Sequence, residues 1–564
     1  MRLHNKLPRT ALIVTGLLLL ILLPRLIGLG KFVTVDEPAW TLHASNFYLA
    51  LSRGQFEKTG IEYGYGVLTM LILTLAFLSY FPGYRLVGRF TDKYWQVDEL
   101  LHKYHKLPLT LLLRGRVISI LATVALLIAS FLLLDLLLGL LTALVVTGMV
   151  VLDPFFLGHS RLLNHEGLMA ASILVSMLAA LVYLYPRRQL RYLALSGAAM
   201  AVALLAKVPA IALFPLVGLM FLVRLIEERG GAKSILRYAA GLGLWALVVA
   251  GVYTLLWPWM WVSPGAMLYE VFGNALSNAF QGGRLAATQG LYPETYSLEF
   301  GGIILYLKLV FLKTTPVVWL GGLLALAGLF VKKGDRISKL IVIYSALLAL
   351  SFVLMFGLAQ GRNHQHYILT TFVALDVVAG MGLAWGYGWL GQRAPVFQKR
   401  ALQAIVLGGI LLLHGAGALP QYPYYYTYAN PLAQAVLKDS WASGVGYGEG
   451  LELAGEYLAG KPGASDLKVM SWYAAGPFSY YFPGEAYNLL ISEVVEDDYI
   501  ERMKASDYLV IYPILQKRLN MPRKLLESLE TIPPEHTIWI NGQEYVQIYR
   551  VKDFSDDFYT SIRN

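Results

Sequence analysis

Between residues 10 and 419 the chain contains eleven apolar stretches, most of them close to the ~20 residues that a helix needs to cross a bilayer. Hydrophobic residues make up 57% of the chain and charged residues 15%, whereas about a quarter of a soluble domain is charged. We therefore predict a mainly α-helical, polytopic membrane protein with about 11 transmembrane helices. The stretches are Thr10–Gly30, 115–134, 136–152, 166–185, 192–206, 209–226, 238–257, 315–331, 340–359, 367–390 and 401–419.

The first apolar stretch follows three basic residues, as a signal peptide would. No small-residue cleavage site follows it and further apolar stretches do, so we expect an anchored first helix with a cytoplasmic N-terminus. The positive-inside rule agrees, because the segments that become cytoplasmic are rich in Arg and Lys. These segments are 186–191, 224–237, 332–339 and 391–400. We predict a multi-pass protein of the plasma (inner) membrane.

Charge divides the chain after the last apolar stretch. Residues 420–564 carry 12 basic and 19 acidic side chains, whereas residues 1–419 carry 34 and 17. In the acidic part, β-rich runs such as Asp507–Tyr512 and Glu544–Tyr549 alternate with helical patterns such as Gly450–Leu458. We predict a transmembrane domain, 1–419, and an extracytoplasmic soluble α/β domain, 420–564. The basic excess is explained by membrane orientation, and no nucleic-acid motif is present.

The first outer segment, 31–111, contains one further apolar stretch, Gly66–Pro82. Its length is marginal for a span, so we expect interfacial helices in this segment and leave open whether 66–82 crosses. Tyr422–Tyr428 reads most simply as an aromatic belt at the membrane interface, and alternatively as a roof over a site. The chain has no cysteine, which excludes disulfides and thiolate chemistry.

Two adjacent carboxylates, Asp36 and Glu37, follow the first apolar stretch in the sequence VTVDEPA. An aspartate before a proline also begins helices well, so a helix cap is the simplest alternative reading. More polar residues fall on the same predicted face, however, and ionisable groups at membrane depth tend to mark function. They are His159, Ser160, Arg161, Asn164, His165, Glu166, Lys207, Arg362, His364 and His366.

If the helices bundle, these groups share one outward-facing site. A carboxylate can take a proton from an acceptor hydroxyl while a basic residue stabilises a departing phosphate. That chemistry fits glycosyl transfer from a lipid phosphate. Topology alone fits a secondary transporter or lipid flippase with an outward-facing polar cavity equally well. Transporters often have broken helices paired between two halves, and the sequence shows no such pairing.

The same motifs resemble those of the GT-C superfamily of membrane glycosyltransferases. The chain is most similar there to bacterial protein O-mannosyltransferases and the lipid A aminoarabinose transferase, glycosyltransferase families 39 and 83. The resemblance covers nearly the whole chain. It is carried by Val35–Pro38, His159–Arg161 with Glu166 where the family usually has Asp, Leu205–Pro209, Lys313–Pro316, Gly361–Leu369, Tyr422–Pro431 and Gly444–Glu452.

The resemblance implies a GT-C fold and an inverting transferase. The enzyme would move a hexose or pentose from a polyprenyl-phosphate donor to a hydroxyl of a protein, glycan or lipid at the outer face of the membrane. It implies that Asp36 is the catalytic base and that Glu37 and Glu166 orient it or the acceptor. The implied donor-phosphate ligands are Lys207, Arg362, His366 and Arg161.

One departure concerns the residue before Tyr367. The family commonly has Arg there, whereas this chain has His366, whose unperturbed pKa is about 6.5. Phosphate binding would then depend on Arg362 and Lys207. No cofactor is predicted and no metal ligands are assigned, because the histidines have no zinc spacing, but a divalent cation is left open. The expected partners are a polyprenyl-phosphate-linked sugar, the acceptor and membrane lipids, with no nucleic acid.

Overall fold

The computed structural model describes residues 7–60, 66–281, 301–331, 335–359, 364–437, 446–489, 497–514 and 523–563. Up to residue 281 these ranges are almost entirely helical. Helices α1 to α15 are Leu7–Leu26, Glu37–Ser52, Val67–Tyr80, Tyr84–Val87, Tyr94–Lys103, Pro108–Leu138, Leu140–Leu152, Pro154–Ser160, His165–Val182, Leu190–Ala206, Leu213–Glu228, Ala232–Leu256, Trp259–Val262, Pro264–Leu268 and Asn274–Gln281.

The second half begins with further helices and ends in a C-terminal part that contains both helices and strands. Helices α16 to α20 are Gly301–Lys313, Pro316–Phe330, Arg336–Leu358, Leu369–Arg393 and Arg400–Ala416. The C-terminal helices α21 to α25 are Pro431–Leu437, Leu451–Ala459, Asp497–Lys504, Arg523–Glu530 and Asp556–Ile562. The strands β1 to β5 are Lys468–Ser471, Glu485–Asn488, Tyr508–Ile511, His536–Ile540 and Gln543–Arg550.

Within the described ranges, seven helices are long and apolar enough to cross a membrane, and nine spans result if two bent helix pairs each count as one. The first predicted stretch and 192–206 correspond to the shorter apolar helices Leu12–Leu26 and Leu190–Ala206. Of the eleven predicted spans, these two are too short to count among the candidate spans, and the other nine correspond to the seven long helices and the two bent pairs. The mainly α, multi-pass architecture is confirmed.

The two bent pairs were not evident from the sequence. Helices α7 and α8 meet at 66°, and the pair formed by α16 and α17 is bent by 108°. At each break a side chain caps the second helix: Asp153 accepts from the Phe156 amide at 2.6 Å, and Thr315 accepts from the Val318 amide at 3.4 Å. A proline follows each capping residue and cannot donate a helical hydrogen bond, so the preceding helix ends there.

The apolar stretch 66–82 forms α3, which packs against α2 and α6. At 14 residues it is shorter than the ~20 needed for a span. The interfacial position of the 31–111 segment stays a prediction.

The C-terminal part contains a five-stranded mixed sheet in the order β2-β1-β3-β5-β4. Strand β1 is parallel to β2 and β3, whereas β5 is antiparallel to β3 and β4. The β4–β5 turn is Asn541-Gly542, whose φ angles of 53° and 74° suit a tight hairpin. The predicted α/β character is confirmed, and the runs 507–512 and 544–549 coincide with β3 and β5.

The C-terminal part contacts the first outer segment and the residue just before it. Tyr481 donates to the Gly30 carbonyl at 3.0 Å, and Tyr480 donates to the Asp98 carboxylate at 3.2 Å. One buried apolar cluster includes residues from both parts, among them Phe32 and Val469. The division at residue 420 stays a prediction.

Candidate active site

Asp36 lies at the N-cap position of α2, but its side chain makes no capping hydrogen bond. Its Oδ2 accepts instead from the hydroxyl of Tyr447, at 2.6 Å. The helix-cap reading of Asp36 therefore does not describe the structure. The carboxylate is held by a residue from the far end of the sequence.

Tyr447 reaches Asp36 from a glycine-rich loop, residues 446–450, which runs beside the chain just before α2. The Val35 amide donates to the Tyr447 carbonyl at 3.2 Å. Gly448 has φ +113°, and a Cβ there would lie 2.7 Å from the Val33 carbonyl oxygen. Both the backbone conformation and the close approach require glycine.

Two buried glutamates hold this glycine-rich loop. Glu449 Oε2 accepts from the Tyr447 amide at 2.6 Å and from the Tyr512 hydroxyl at 2.7 Å. Glu452 accepts from the Gly450 amide at 3.0 Å and is hydrogen-bonded to the Tyr424 hydroxyl. Burial raises the pKa of Glu449, and it raises the pKa of Glu452 to about 8.

The Tyr447 hydroxyl is a neutral hydrogen-bond donor. Burial, followed by the nearby charge of Asp36, holds the pKa of Tyr447 well above its ordinary value. A hydrogen bond to the ionised form of a carboxylate favours that form. The hydrogen bond from Tyr447 thus orients the Asp36 carboxylate at the start of α2.

Glu37 is held quite differently from its neighbour. It is fully buried and forms a two-pronged ion pair with Arg116, with nitrogen–oxygen distances of 2.7 and 2.5 Å. The amide and hydroxyl of Thr34 also donate to it, at 2.8 and 3.0 Å, as does the Leu163 amide at 3.0 Å. Both oxygens of Glu37 are occupied within the protein, so it fixes the backbone around Asp36.

Glu166 lies in the first turn of α9, where the Asn164 side chain accepts from the Glu166 amide at 2.9 Å. Its carboxylate is 2% exposed and forms an ion pair with the ammonium of Lys207. His366 Nε2 lies 3.9 Å from Glu166 Oε1. Lys207 Nζ is also 4.7 Å from the centre of the Tyr367 ring, so this lysine points into the protein.

These groups form one continuous cluster. The ring centres of His366 and Tyr447 are 5.5 Å apart, so Tyr447 contacts Asp36 through its hydroxyl and His366 through its ring. Four of the predicted site residues are brought together in this way. They are Asp36, Glu166, Lys207 and His366.

One predicted residue, Arg161, stands apart from this cluster. Arg161 donates to the Pro423 and Ile27 carbonyls, at 3.3 and 2.5 Å, and its guanidinium lies 5.1 Å from the Tyr425 ring centre. It therefore ties the tyrosine run to the end of α1. Arg362 lies outside the described residues.

Four tyrosines of the run Tyr422–Tyr428 are buried within the protein, whereas Tyr422 is 42% exposed. Tyr424, Tyr425, Tyr426 and Tyr428 are each less than 7% exposed. Tyr426 stacks on His159 with ring centres 5.3 Å apart, and it contacts Tyr447 edge-on at 6.2 Å. The run thus packs beside the site.

Tyr447 was missed by sequence reasoning, which used Gly444–Glu452 only as one of the segments that carry the family resemblance. The available signal was a lone tyrosine within the glycine-rich GVGYGEG. A large side chain in a run that is otherwise built for close backbone approach is suited to reaching a neighbouring site.

No family model and no curated protein matches the chain. Several solved structures are similar to it over most of its length. ArnT from Cupriavidus metallidurans bound to undecaprenyl phosphate has a TM-score of 0.45 and 15% identity, covering 95% of this chain and 97% of that one. The Archaeoglobus fulgidus oligosaccharyltransferase tethered with an acceptor peptide has a TM-score of 0.47 and 12% identity, and the alignment covers 94% of this chain and 73% of that one. The complex of the same oligosaccharyltransferase with zinc and sulfate has a TM-score of 0.46 and 11% identity, and the alignment covers 97% of this chain and 76% of that one.

Sequence identities of 11% to 15% do not show which reaction this chain catalyses, so its chemistry is inferred from its own side chains. The similarity extends over 94% to 97% of this chain.

Proposed function

We propose that this protein is a membrane glycosyltransferase that moves a sugar from a polyprenyl-phosphate donor to a hydroxyl acceptor. The observation that carries the proposal is the single cluster described above. Tyr447 joins an oriented carboxylate, Asp36, to the ring of His366. His366 in turn lies beside Glu166, which forms the ion pair with Lys207. The motif resemblance supplies the donor class.

In the proposed reaction Asp36 is the general base. The acceptor oxygen attacks the anomeric carbon of the sugar and its proton passes to the Asp36 carboxylate. The bond from that carbon to the phosphate oxygen breaks, and its electron pair leaves with the polyprenyl phosphate. Attack opposite the leaving group inverts the anomeric centre.

The leaving phosphate needs positive charge rather than a proton. An ammonium group has three donors, so Lys207 can keep its bond to Glu166 and still contact a phosphate. Glu166 positions this lysine, and His366 adds a donor on the same side. We assign Arg362 to the same phosphate from the motif alone. Arg161 and Glu37 then hold the backbone around the site.

We further propose that the sugar is a hexose or pentose and that the acceptor is a protein, a glycan or a lipid. The site faces the outer side of the plasma membrane, with the N-terminus cytoplasmic. From the motif resemblance we infer a function similar to that of the protein O-mannosyltransferases and the aminoarabinose transferase.

The test uses purified full-length protein in liposomes with a panel of synthetic undecaprenyl-phosphate hexoses and pentoses and no ion gradient. We expect release of undecaprenyl phosphate from at least one donor, and loss of that release in Asp36→Asn. Asp92→Asn is the matched control, since that carboxylate is 84% exposed in the same outer segment. Equal turnover by Asp36→Asn and wild type would refute the base assignment.

A transporter or lipid flippase is the second candidate because two spans are broken. At each break a capping residue followed by a proline begins the second helix. Broken spans commonly line transport sites. Donor turnover in the absence of any gradient supports the transferase. Gradient-driven movement of lipid or solute without donor turnover supports the transporter.

A further inference from the structure

Three buried ionisable residues gather inside the helical array, away from the candidate active site. Asp153 lies at the break between α7 and α8, Asp376 in α19 and His414 in α20. A carboxylate oxygen from each aspartate and an imidazole nitrogen all lie within 4.8 Å of one another. Their exposures are 1%, 1% and 0%.

This group connects the two broken spans. Asp153 caps α8 after the first break, and Thr315 caps α17 after the second. His414 Nδ1 is hydrogen-bonded to the Thr315 hydroxyl at 2.7 Å, and its Nε2 lies 2.9 Å from the Met149 carbonyl in α7. The imidazole therefore touches both breaks at once.

The charge of the group is not compensated by the protein. Asp153 Oδ2 and Asp376 Oδ2 are buried without a hydrogen-bond partner, and neither aspartate forms an ion pair with any residue in the described ranges. Burying an unpaired carboxylate costs several kcal/mol. Two of them side by side therefore need a counter-charge or protons.

The histidine is oriented as a metal ligand would be. A carbonyl only accepts hydrogen bonds, so Nε2 carries the proton and donates to Met149, which leaves the lone pair on Nδ1. Metal-bound histidines characteristically donate their second nitrogen to a carbonyl or carboxylate in this way.

We propose that Asp153, Asp376 and His414 bind a divalent cation at the junction of the two bent spans. Two carboxylates and one imidazole match the oxygen and nitrogen ligands that Zn²⁺ and Mn²⁺ accept, and two negative charges balance the ion. Coordination through Nδ1 replaces the bond from Thr315. The ion ties together the breaks of both spans and helices α19 and α20.

This cation is structural and separate from the proposed transfer chemistry. Asp376 follows His366 by ten residues, roughly 15 Å along a helix. Removal of the ion should loosen the spans that lead into Glu166 and His366. The proposal does not depend on the proposed function, because its readouts are metal content and stability.

The test is elemental analysis of the full-length protein purified in detergent without chelator, followed by chelation and titration with Zn²⁺, Mn²⁺, Mg²⁺ and Ca²⁺ while Tm is followed. We expect close to one ion per chain, a lower Tm after chelation and its recovery with one of the four ions. Asp376→Asn should lose the ion. Asp135→Asn, an exposed carboxylate at the end of α6, should keep it.

The proposal is overturned if wild-type protein holds no stoichiometric ion and no added ion changes its Tm. An Asp376→Asn variant that keeps the full ion content would overturn it too. If that variant fails to fold, the wild-type measurements still decide. A Tm that is insensitive to metals but higher in Asp376→Asn would instead assign a shared proton to the aspartate pair.

Discussion

Tyr447 and Asp36 are separated by 411 residues in the sequence and joined by a hydrogen bond of 2.6 Å. The bond links the acidic C-terminal part to the entrance of the first outer segment. It gives the carboxylate a fixed direction and an environment in which the ionised form is favoured.

Asp36→Asn should abolish transfer, with a loss of at least about 100-fold, because general-base catalysis contributes 10²- to 10⁴-fold. The amide can still accept a hydrogen bond from Tyr447, so Tm in detergent should stay near that of wild type. Donor turnover in liposomes measures the loss of transfer, and a thermal-unfolding curve in detergent measures Tm. A large fall in Tm would show that the loss reflects unfolding.

Tyr447→Phe should lower turnover by about 10-fold and move the acidic limb of the pH–rate profile to higher pH. The reason is that the carboxylate loses a donor that stabilises its ionised form. Tyr487→Phe, at an exposed tyrosine of the same C-terminal part, is the control. An unchanged profile would mean that Tyr447 is only a packing residue.

Glu37→Gln should destabilise the protein by about 3–5 kcal/mol, because it leaves the fully buried Arg116 without its partner. Chemical or thermal unfolding in detergent measures this loss. The double variant Glu37→Gln/Arg116→Met removes the stranded charge and should recover part of the stability. If Glu37→Gln alone proves as stable as wild type, the ion pair is not what fixes the Asp36 backbone.

Lys207→Met should lower donor turnover by about 100-fold and weaken competition by undecaprenyl phosphate, since the phosphate loses its ammonium contact. The exposed Lys31→Met, in the first outer segment, should change neither. Inhibition curves with undecaprenyl phosphate separate binding from chemistry. Wild-type inhibition in Lys207→Met would remove this lysine from the phosphate site.

The raised pKa of Glu452 predicts that the free energy of unfolding depends on pH. Its pKa is raised from 4.5 to about 8 by burial, so between about pH 5 and 8 the folded state holds a proton that the unfolded state has released. Stability should therefore fall as pH rises through this window. Glu452→Gln should flatten the decline in Tm between pH 5.5 and 8, whereas an equally steep decline would contradict the assignment.

The spans were predictable because a bilayer fixes the length of an apolar helix, and nine of the eleven predicted spans correspond to candidate spans of the structure. The site was partly predictable for a related reason. Loops on one face of a helical array are confined to a thin layer, so Asp36, Glu166, Lys207 and His366 were expected to meet. The strands 507–512 and 544–549 were evident from their local composition.

Other features depend on partners that no local pattern reveals. The partner of Glu37 is Arg116, inside an apolar stretch 79 residues later. The breaks at Asp153 and Thr315 lie within or beside long apolar runs. A hydropathy pattern averages over such runs, so a single capping residue followed by proline does not stand out. Tyr447 could not be placed because the fold of the acidic part decides where its glycine-rich loop lies.

The approach of Gly448 to the Val33 carbonyl has a practical consequence for engineering. A chain cut where hydropathy ends would keep the spans but lose Tyr447, whose hydroxyl binds the Asp36 carboxylate. Exchanging the acidic portion between related proteins should therefore preserve function only when the 446–450 loop and the 33–35 backbone are transplanted as a matched pair.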